Sequence, residues 1–397
     1  MDITSAIVLA AGEGTRLRPL TKHRPKPMLT AANRPILEYV LDGLADAGIE
    51  DIHIVVGYKR DRVQSHFGPA HQNVPITYHV QEKQLGSGHA LLQAQESVNS
   101  NFLVVNGDEI ITDKIVREVI RNHSTEDKAT LAVIESDRAP QYGAVRVRDD
   151  RIIELVERPG EGDYRLLNRG VYVFEPSIFA ELELTTRREG ELQLTDAIGS
   201  LIQGESDVRA VLVDEIWSNV TYPWNLLTVA RDLLAKEMVS ESTRDSHVWV
   251  SESATVHENA VLRPPVTVSE DVVIGPGTVV GPYTAIGRNC TVDSGAVIER
   301  SVIDADTRIG QNATINETVT GQGVEICAGV TIPRGPAEVR VGDRIHDGRN
   351  LGCIVADWAS LGAGVTVTPG SLIGPEAEID TGVHVDGNID EGTEVKR

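Results

Sequence analysis

The sequence predicts an α/β chain in two parts: a mostly parallel sheet covered by helices on both faces, then a parallel β-helix. Three observations predict this. At 397 residues the chain is too long for one ordinary core. Strand-like and helix-like segments alternate up to about residue 237. Beyond residue 247, apolar residues recur at every sixth position, a period that neither an α-helix nor an alternating strand produces.

The elements of the first part follow from local pattern. "SAIVLAA" is a buried-type strand. "NRPILEYVLDGLADAG" reads as a helix with Asn33 as N-cap and Gly48 as its stop. "IHIVVGY", "ITYHVQ" and "FLVVNGD" read as strands, with "RDRVQSHFG" and "GHALLQAQESV" as helices between them. "YGAVRVRDDRIIELVERP" reads as a hairpin turning at Asp149 and Asp150, and "PWNLLTVARDLLAKEM" as a closing helix with Pro223 near its first turn. Substrates of such sheets bind at the carboxyl ends of the strands.

Residues 238–247 are polar and aperiodic, and read as a linker. The period of six then runs through Val250, Val256, Leu262, Val268, Ile274, Val280, Ile286, Val292 and Ile298. It slips by one, resumes at Ile303, Ile309 and Ile315, and returns after an interruption at Val355, Leu361, Val367, Ile373, Ile379 and Val385. One residue in six pointing into a triangular core is the grammar of a parallel β-helix. Residues 333–352 read as a loop thrown out from it. The expected role of this solenoid is that of a scaffold or oligomerisation element.

Composition narrows the function. Acidic residues outnumber basic ones 59 to 37, a formal net charge of -22. This disfavours a nucleic-acid binder, which needs a basic face to displace counterions. The surplus acid, with arginine used far more than lysine, resembles proteins of salt-rich cytoplasm; ordinary solubilising charge gives the same balance. The three cysteines, Cys290, Cys327 and Cys353, form no metal-binding spacing and read as reduced thiols of a cytoplasmic protein. No stretch has membrane-spanning length.

Against this acidity, "GEGTRLRPLTKHRPKP" gathers three arginines and two lysines. It is not a GxGxxG dinucleotide loop, because Leu17 takes the third glycine position and Pro19, Pro25 and Pro27 forbid a regular helix after the turn. It is not a Walker A loop, because no Lys-Ser or Lys-Thr follows a glycine at that spacing. It reads as another phosphate loop. Gly12 and Gly14 let backbone N–H groups approach a polyphosphate, and Arg16 and Lys26 add charge.

"LAAGEGTRLRPLTKHRPKPML" resembles the signature of the sugar-1-phosphate nucleotidylyltransferases. "QEKQLGSGHAL" is similar to that family's base-binding segment, "VVNGD" to its metal-binding strand end, "YGAV", "VERP" and "NRGVYVF" to its sugar-binding elements, and "WSNVTYPWNLL" to the segment that supplies the second metal ligand. The hexapeptide tail occurs in its N-acetylglucosamine-1-phosphate and glucose-1-phosphate branches, including the archaeal-type bifunctional enzymes. The resemblance implies a Rossmann-like nucleotidyltransferase domain over 1–237, the linker 238–247, and a left-handed β-helix over 248–397. It implies a homotrimer, or a dimer of trimers, because the flat faces of such helices pack three-fold.

The implied reaction joins a nucleoside triphosphate and a sugar-1-phosphate, releasing pyrophosphate. Two anions must meet, so catalysis is mostly positioning and charge neutralisation. The loop's cations are expected to serve that end. Arg16 is expected to stabilise departing pyrophosphate, and Lys26 to hold the attacking phosphate. Leu9, Ala10, Gly12, Gly14, Thr15, Gln81, Gly86 and Ser87 are expected to bind the nucleotide, UTP in preference to dTTP. Gly143, Glu157 and Asn168 are expected at the sugar. Asp108 and Asn219 are expected to ligate Mg²⁺, with helix N-capping the other role open to Asp108. Arg158 stands where the family commonly has Lys, and Thr221 where it often has Gly. His89 reads as structural.

In bifunctional relatives the β-helix also acetylates an amino sugar, using a histidine base. The matching places here hold Gln311, Thr314 and Arg334; His346 and His384 lie elsewhere. Acetyl transfer is therefore expected to be absent or strongly reduced. The alternatives are a bifunctional enzyme and a non-catalytic sensor of nucleotide-sugars.

Overall fold

The computed structural model describes residues 3–137, 139–160, 162–214 and 220–397. They form two compact units. The first takes the chain up to Glu13, then Pro25–Met28, then the stretch from Ile36 through the last strand of the large sheet. The second takes Gly14–Arg24, Leu29–Pro35 and everything described from Val220 onward.

The first unit is built on a 10-stranded sheet. Its strands and helices, in chain order, are β1 (Ser5–Ala10), α1 (Ile36–Ala47), β2 (Asp51–Val56), α2 (Arg60–Phe67), β3 (Val74–Val80), α3 (Ser87–Leu92), β4 (Phe102–Asn106), α4 (Asp113–Asn122), β5 (Ala129–Glu135), β6 (Gly143–Arg148), β7 (Arg151–Glu157), β8 (Leu166–Phe174), α5 (Ile178–Leu184), α6 (Leu194–Gln203) and β9 (Val208–Leu212). A short edge strand at Ala70–His71 completes the sheet, whose order from there is β3–β2–β1–β4–β8–β5–β9–β7–β6. The stretch β3–β2–β1–β4 is parallel, as the strand–helix alternation predicts. β8 then runs antiparallel to β4, β5 and β6. The hairpin β6–β7 turns at Asp149 and Asp150, both at positive φ, as expected of a two-residue turn. Two apolar layers, one on each face, bury β1 completely at Ala6, Ile7 and Val8.

Gly48 ends α1 at a φ of 96°, as expected. Asn33 does not cap it. Ala32 and Asn33, both at positive φ, turn a small hairpin between Thr30–Ala31 and Arg34–Pro35, and the helix starts only at Ile36.

The second unit holds a solenoid of three sheets of eight, eight and seven strands, parallel except for the first strand of the first sheet, the architecture expected of a left-handed β-helix. That first strand is Thr243–Asp245, paired antiparallel with Val248–Val250, so part of the segment read as a linker is a strand. Each coil lays one strand in each sheet: Val248 pairs with Val266, and Val266 with Thr284. The residues at the period of six form the core, with Val268, Val280, Ile286, Val292 and Ile298 wholly buried. The slip after Ile298 is one shorter coil: Val268 pairs with Ile286, but Ile286 with Ile303. The interruption at 333–352 is an ordered antiparallel hairpin, Gly335–Val341 with Arg344–Leu351. α7 (Asn225–Ala235) belongs to this unit too.

Candidate active site

β1 carries Leu9 and Ala10, with Ala11 just after them, to the carboxyl end of the parallel strands. The Leu9 carbonyl accepts the Gly107 N–H at 2.9 Å, and the Ala11 carbonyl accepts the Tyr58 N–H at 3.2 Å and Gln84 Nε2 at 3.3 Å. Ala10 is buried, whereas Gly12 is exposed with no atom near the place of its missing side chain. Gly14, at φ 71° and ψ 43°, opens a tight turn over Thr15–Leu17 that carries exposed Thr15 and Arg16. Its carbonyl accepts the Leu17 N–H and Thr21 Oγ1, both at 2.9 Å. A side chain at Gly14 would strain this left-handed backbone.

Lys26 and Asp108 form a salt bridge. Asp108 stands two residues beyond β4, and its side chain is 32% exposed, open enough for a ligand. It does not cap a helix, since α4 begins at Asp113 with Thr112 as its N-cap. Behind it Glu109 is buried and accepts Nη1 of Arg169 at 2.9 Å and Nδ2 of Asn106 at 3.4 Å. Arg169 is fully buried and also donates to the Ile110 carbonyl at 2.8 Å. Burial pushes the Glu109 carboxyl up to about 7 although Arg169 pulls it down.

The segment after β3 folds against the stretch before α6. Gly86, at φ 94° and ψ 169°, receives Gln81 Nε2 on its carbonyl at 3.1 Å. The same amide nitrogen lies 3.0 Å from His89 Nδ1, so His89 has a structural partner, as expected. Ser87 Oγ donates to Gln193 Oε1 at 3.1 Å and accepts the Leu194 N–H at 3.0 Å. The Gly88 N–H reaches the Leu192 carbonyl at 2.8 Å.

Gly143, Glu157 and Asn168 are brought together. Glu157 at the end of β7 pairs in register with Gly143 at the start of β6. A Cβ on Gly143 would lie 3.3 Å from Glu157 Oε2 and 3.4 Å from Asn168 Cβ, so glycine keeps the floor of this group low. Asn168 donates to the Tyr172 hydroxyl at 2.7 Å and accepts the Gly170 N–H at 3.2 Å. Burial pushes the Tyr172 hydroxyl above its usual range. Arg158 sits at positive φ with its Nε 3.5 Å from Glu157 Oε1.

Sequence reasoning expected the opening loop's cations to serve phosphate, but Lys22 and Arg24 have carboxylate partners elsewhere. Lys22 pairs with Glu391 at 2.7 Å, and Arg24 with Asp304 and Asp357, all within the second unit. It also passed over Arg169, Glu109, Asn106 and Tyr172. The available signal was a charge inside "NRGVYVF", a strand otherwise apolar enough to be buried. Asn219 lies outside the described residues.

A family model described as nucleotidyl transferase matches residues 5–236, more than half of the chain. The chain belongs to the nucleotidyl transferase family. A second model, the GMPPB C-terminal domain, matches residues 245–336. The chain is similar to the bifunctional protein GlmU of Methanococcus maripaludis, 32% identical over 403 residues that cover 97% of this chain and 95% of that protein. It is similar to the UTP–glucose-1-phosphate uridylyltransferase AglF of Haloferax volcanii, 34% identical over 243 residues, 60% of this chain and 98% of AglF. It is also similar to the low-salt glycan biosynthesis nucleotidyltransferase Agl11 of the same organism, 34% identical over 332 residues, 81% of this chain and 93% of Agl11. This nucleotidyl transferase is thus an enzyme that acts on a nucleoside triphosphate and a sugar-1-phosphate.

The tail of this nucleotidyl transferase can be tested for a second chemistry residue by residue. The Gln311 carbonyl accepts the Gly329 N–H at 2.8 Å, and Arg334 Nε lies 3.8 Å from buried Glu317. His346 on the hairpin packs edge-on against Tyr222 at 4.4 Å and Trp224 at 5.2 Å, and burial lowers its pKa. His384 lies between the hydroxyls of Thr366 at 2.8 Å and Thr368 at 3.3 Å. Among the described residues no helix is long and apolar enough to cross a membrane.

Proposed function

We propose that the enzyme is a Mg²⁺-dependent uridylyltransferase that joins UTP to glucose-1-phosphate or N-acetylglucosamine-1-phosphate. The observation that carries this reading is the Lys26–Asp108 pair at the carboxyl end of β4. A cation for phosphate and a carboxylate for a metal stand together where an open α/β sheet binds its ligands. The trio Gly143, Glu157 and Asn168 supports the sugar assignment, because it groups a half-exposed carboxylate with an amide over a low floor.

Lys26 would neutralise and orient the attacking sugar phosphate. Arg16, on the turn after Gly14, would take up charge developing on pyrophosphate. Glu157 and Asn168 would fix the sugar hydroxyls, and the loop around Gln81, Gly86 and Ser87 the pyrimidine. No protein nucleophile is needed for in-line displacement. Among the described residues no group of three or more His, Cys, Asp or Glu side chains could hold a metal. The lone Asp108 carboxylate, part-exposed beside Lys26, suits Mg²⁺, which takes one or two carboxylates and completes its shell with phosphate oxygens and water. Asp108 would hold it, with Asn219 as the second ligand, and it would supply further charge neutralisation.

In this reading the β-helix has no acetyl-transferring base, since Gln311 has no titratable group and His346 and His384 are engaged elsewhere. It would assemble a homotrimer, or a dimer of trimers, in the cytoplasm. The test is a matrix of initial rates of pyrophosphate release, UTP and dTTP against both sugar phosphates, at low and high salt. Turnover highest with UTP is expected, and no turnover with any pair would overturn the reading. Thiol release from acetyl-CoA with glucosamine-1-phosphate would restore the bifunctional alternative.

A further inference from the structure

Arg24 of the opening loop is bound at three points. Its Nη1 meets Asp304 Oδ2, its Nη2 meets Asp357 Oδ1, and its Nε reaches Asp357 Oδ2 at 3.3 Å. The guanidinium therefore holds one carboxylate in a two-point fork and a second at its other end, geometry that lysine cannot reproduce. The side chains are only 12%, 9% and 4% exposed for Arg24, Asp304 and Asp357, so added salt screens this contact weakly.

The β-helix holds both acids in place before Arg24 is considered. Asp304 follows the strand Val302–Ile303, and its Oδ1 accepts the Ala305 N–H and Thr30 Oγ1, each at 2.8 Å. Its own N–H donates to Thr320 Oγ1 at 2.9 Å. Asp357 follows the strand Cys353–Val355, and its Oδ1 accepts the Gln322 N–H at 2.9 Å. A Cβ on Gly321, between the two coils, would lie 2.2 Å from that oxygen, so the missing side chain makes the room the carboxylate occupies. Thr30, in the hairpin just past the loop, ties a second point of the same segment to Asp304. Lys22 adds a more exposed tie to Glu391.

We propose that Asp304 and Asp357 are positioning residues for nucleotidyl transfer, holding through Arg24 the segment that bears Arg16 and leads into Lys26. The inference rests on the reading of Arg16 and Lys26 as phosphate-handling groups. Arg24 lies two residues before Lys26, and the anchored stretch Gly14–Arg24 is part of the second unit. The solenoid is then a working part of the reaction centre's loop, beyond its scaffold role. Two buried carboxylates are the right partners for this task, because a buried arginine left alone is costly and so fixes its segment firmly.

The test uses the full chain with Asp357→Asn, Asp304→Asn and Arg24→Lys. Expected for Asp357→Asn is at least a tenfold fall in kcat/KM, since a displacement of about 1 Å can cost about a hundredfold. Amide hydrogen exchange should rise over residues 14–28 and stay unchanged in β1 and β4. Arg24→Lys, which keeps the charge and loses the fork, should fall between parent and Asp357→Asn in both readouts. Should Asp357→Asn fail to fold, Arg24→Lys and Asp304→Asn decide. Parent-like kcat/KM and exchange in a folded variant overturn the proposal, as does an activity loss with exchange at 14–28 unchanged. If the parent itself turns over no substrate pair, the functional reading has failed, and the exchange measurement still reports on the anchoring.

Discussion

Gly86→Ala puts the base-binding assignment under load. At φ 94° and ψ 169° this residue occupies a region of backbone space almost reserved for glycine, where a Cβ costs about 1–3 kcal/mol. The new methyl would also lie 2.4 Å from the Leu192 carbonyl oxygen and 2.8 Å from its carbon, both backbone atoms that cannot rotate away. Overpacking of this kind costs about 1–3 kcal/mol more. If the unit absorbs the whole of this rigidly, its melting midpoint should fall by about 10 °C, at ~2–4 °C per kcal/mol for a unit of this size. If the loop yields instead, the Gly88 N–H to Leu192 bond at 2.8 Å opens and the Gly86 carbonyl leaves Gln81. The KM for UTP should then rise while the KM for sugar phosphate moves less. Thermal melting and initial rates at varied UTP, on one preparation, separate these outcomes. A variant with the parent's melting curve and the parent's KM for UTP refutes the reasoning.

Asp108→Ala and Lys26→Ala should each lower kcat by about a hundredfold to a thousandfold with melting preserved, as removal of a charge-stabilising group does; an unchanged rate in the Asp108 variant would end the charge-neutralisation account. Burial pushes the Asp127 carboxyl up, but hydrogen bonds from Arg209 at 2.7 Å, from the Ser124 N–H and Oγ at 2.9 Å each, and from Arg151 outweigh it and hold the group at about 2. Its stabilisation, about 2 kcal/mol, is complete above the ordinary carboxylate pKa of about 4 and is lost as pH falls from there through 2. Denaturant midpoints at pH 6 and pH 3 should therefore converge for parent and Asp127→Asn in acid, and a constant gap would contradict this. Burial raises the thiol pKa of Cys290 to about 12 and that of Cys353 further, while Cys327 is only partly buried. Brief alkylation of native protein should mark Cys327 and spare the other two, read by peptide mass.

The β-helix was legible because its code is local and repeated. Ile274 or Val280 needs no knowledge of distant residues to be read as core, and even the slip after Ile298 is written in the spacing. The parallel strands β1, β2 and β4 were legible as apolar runs for the same reason. The antiparallel course of β8 was not, because "NRGVYVF" states burial and strand propensity but says nothing of partner or direction. Asn33 illustrates a local signal with two meanings, since the residue that favours a helix cap also tolerates the left-handed turn it occupies here. Lys26 and Asp108, which form a salt bridge, were legible as candidates because motifs mark them. Arg169 and Arg24 escaped because their meaning lies in partners 60 and 333 positions away.

That last separation has a temporal side. A ribosome adding about 5–20 residues each second needs roughly 15–70 seconds to travel the 333 positions from Arg24 to Asp357. Throughout that interval the nascent polypeptide carries its reactive segment without the acids that seat it. On the anchoring proposed above, the seating of that segment is completed only once the coil that bears Asp357 has been made.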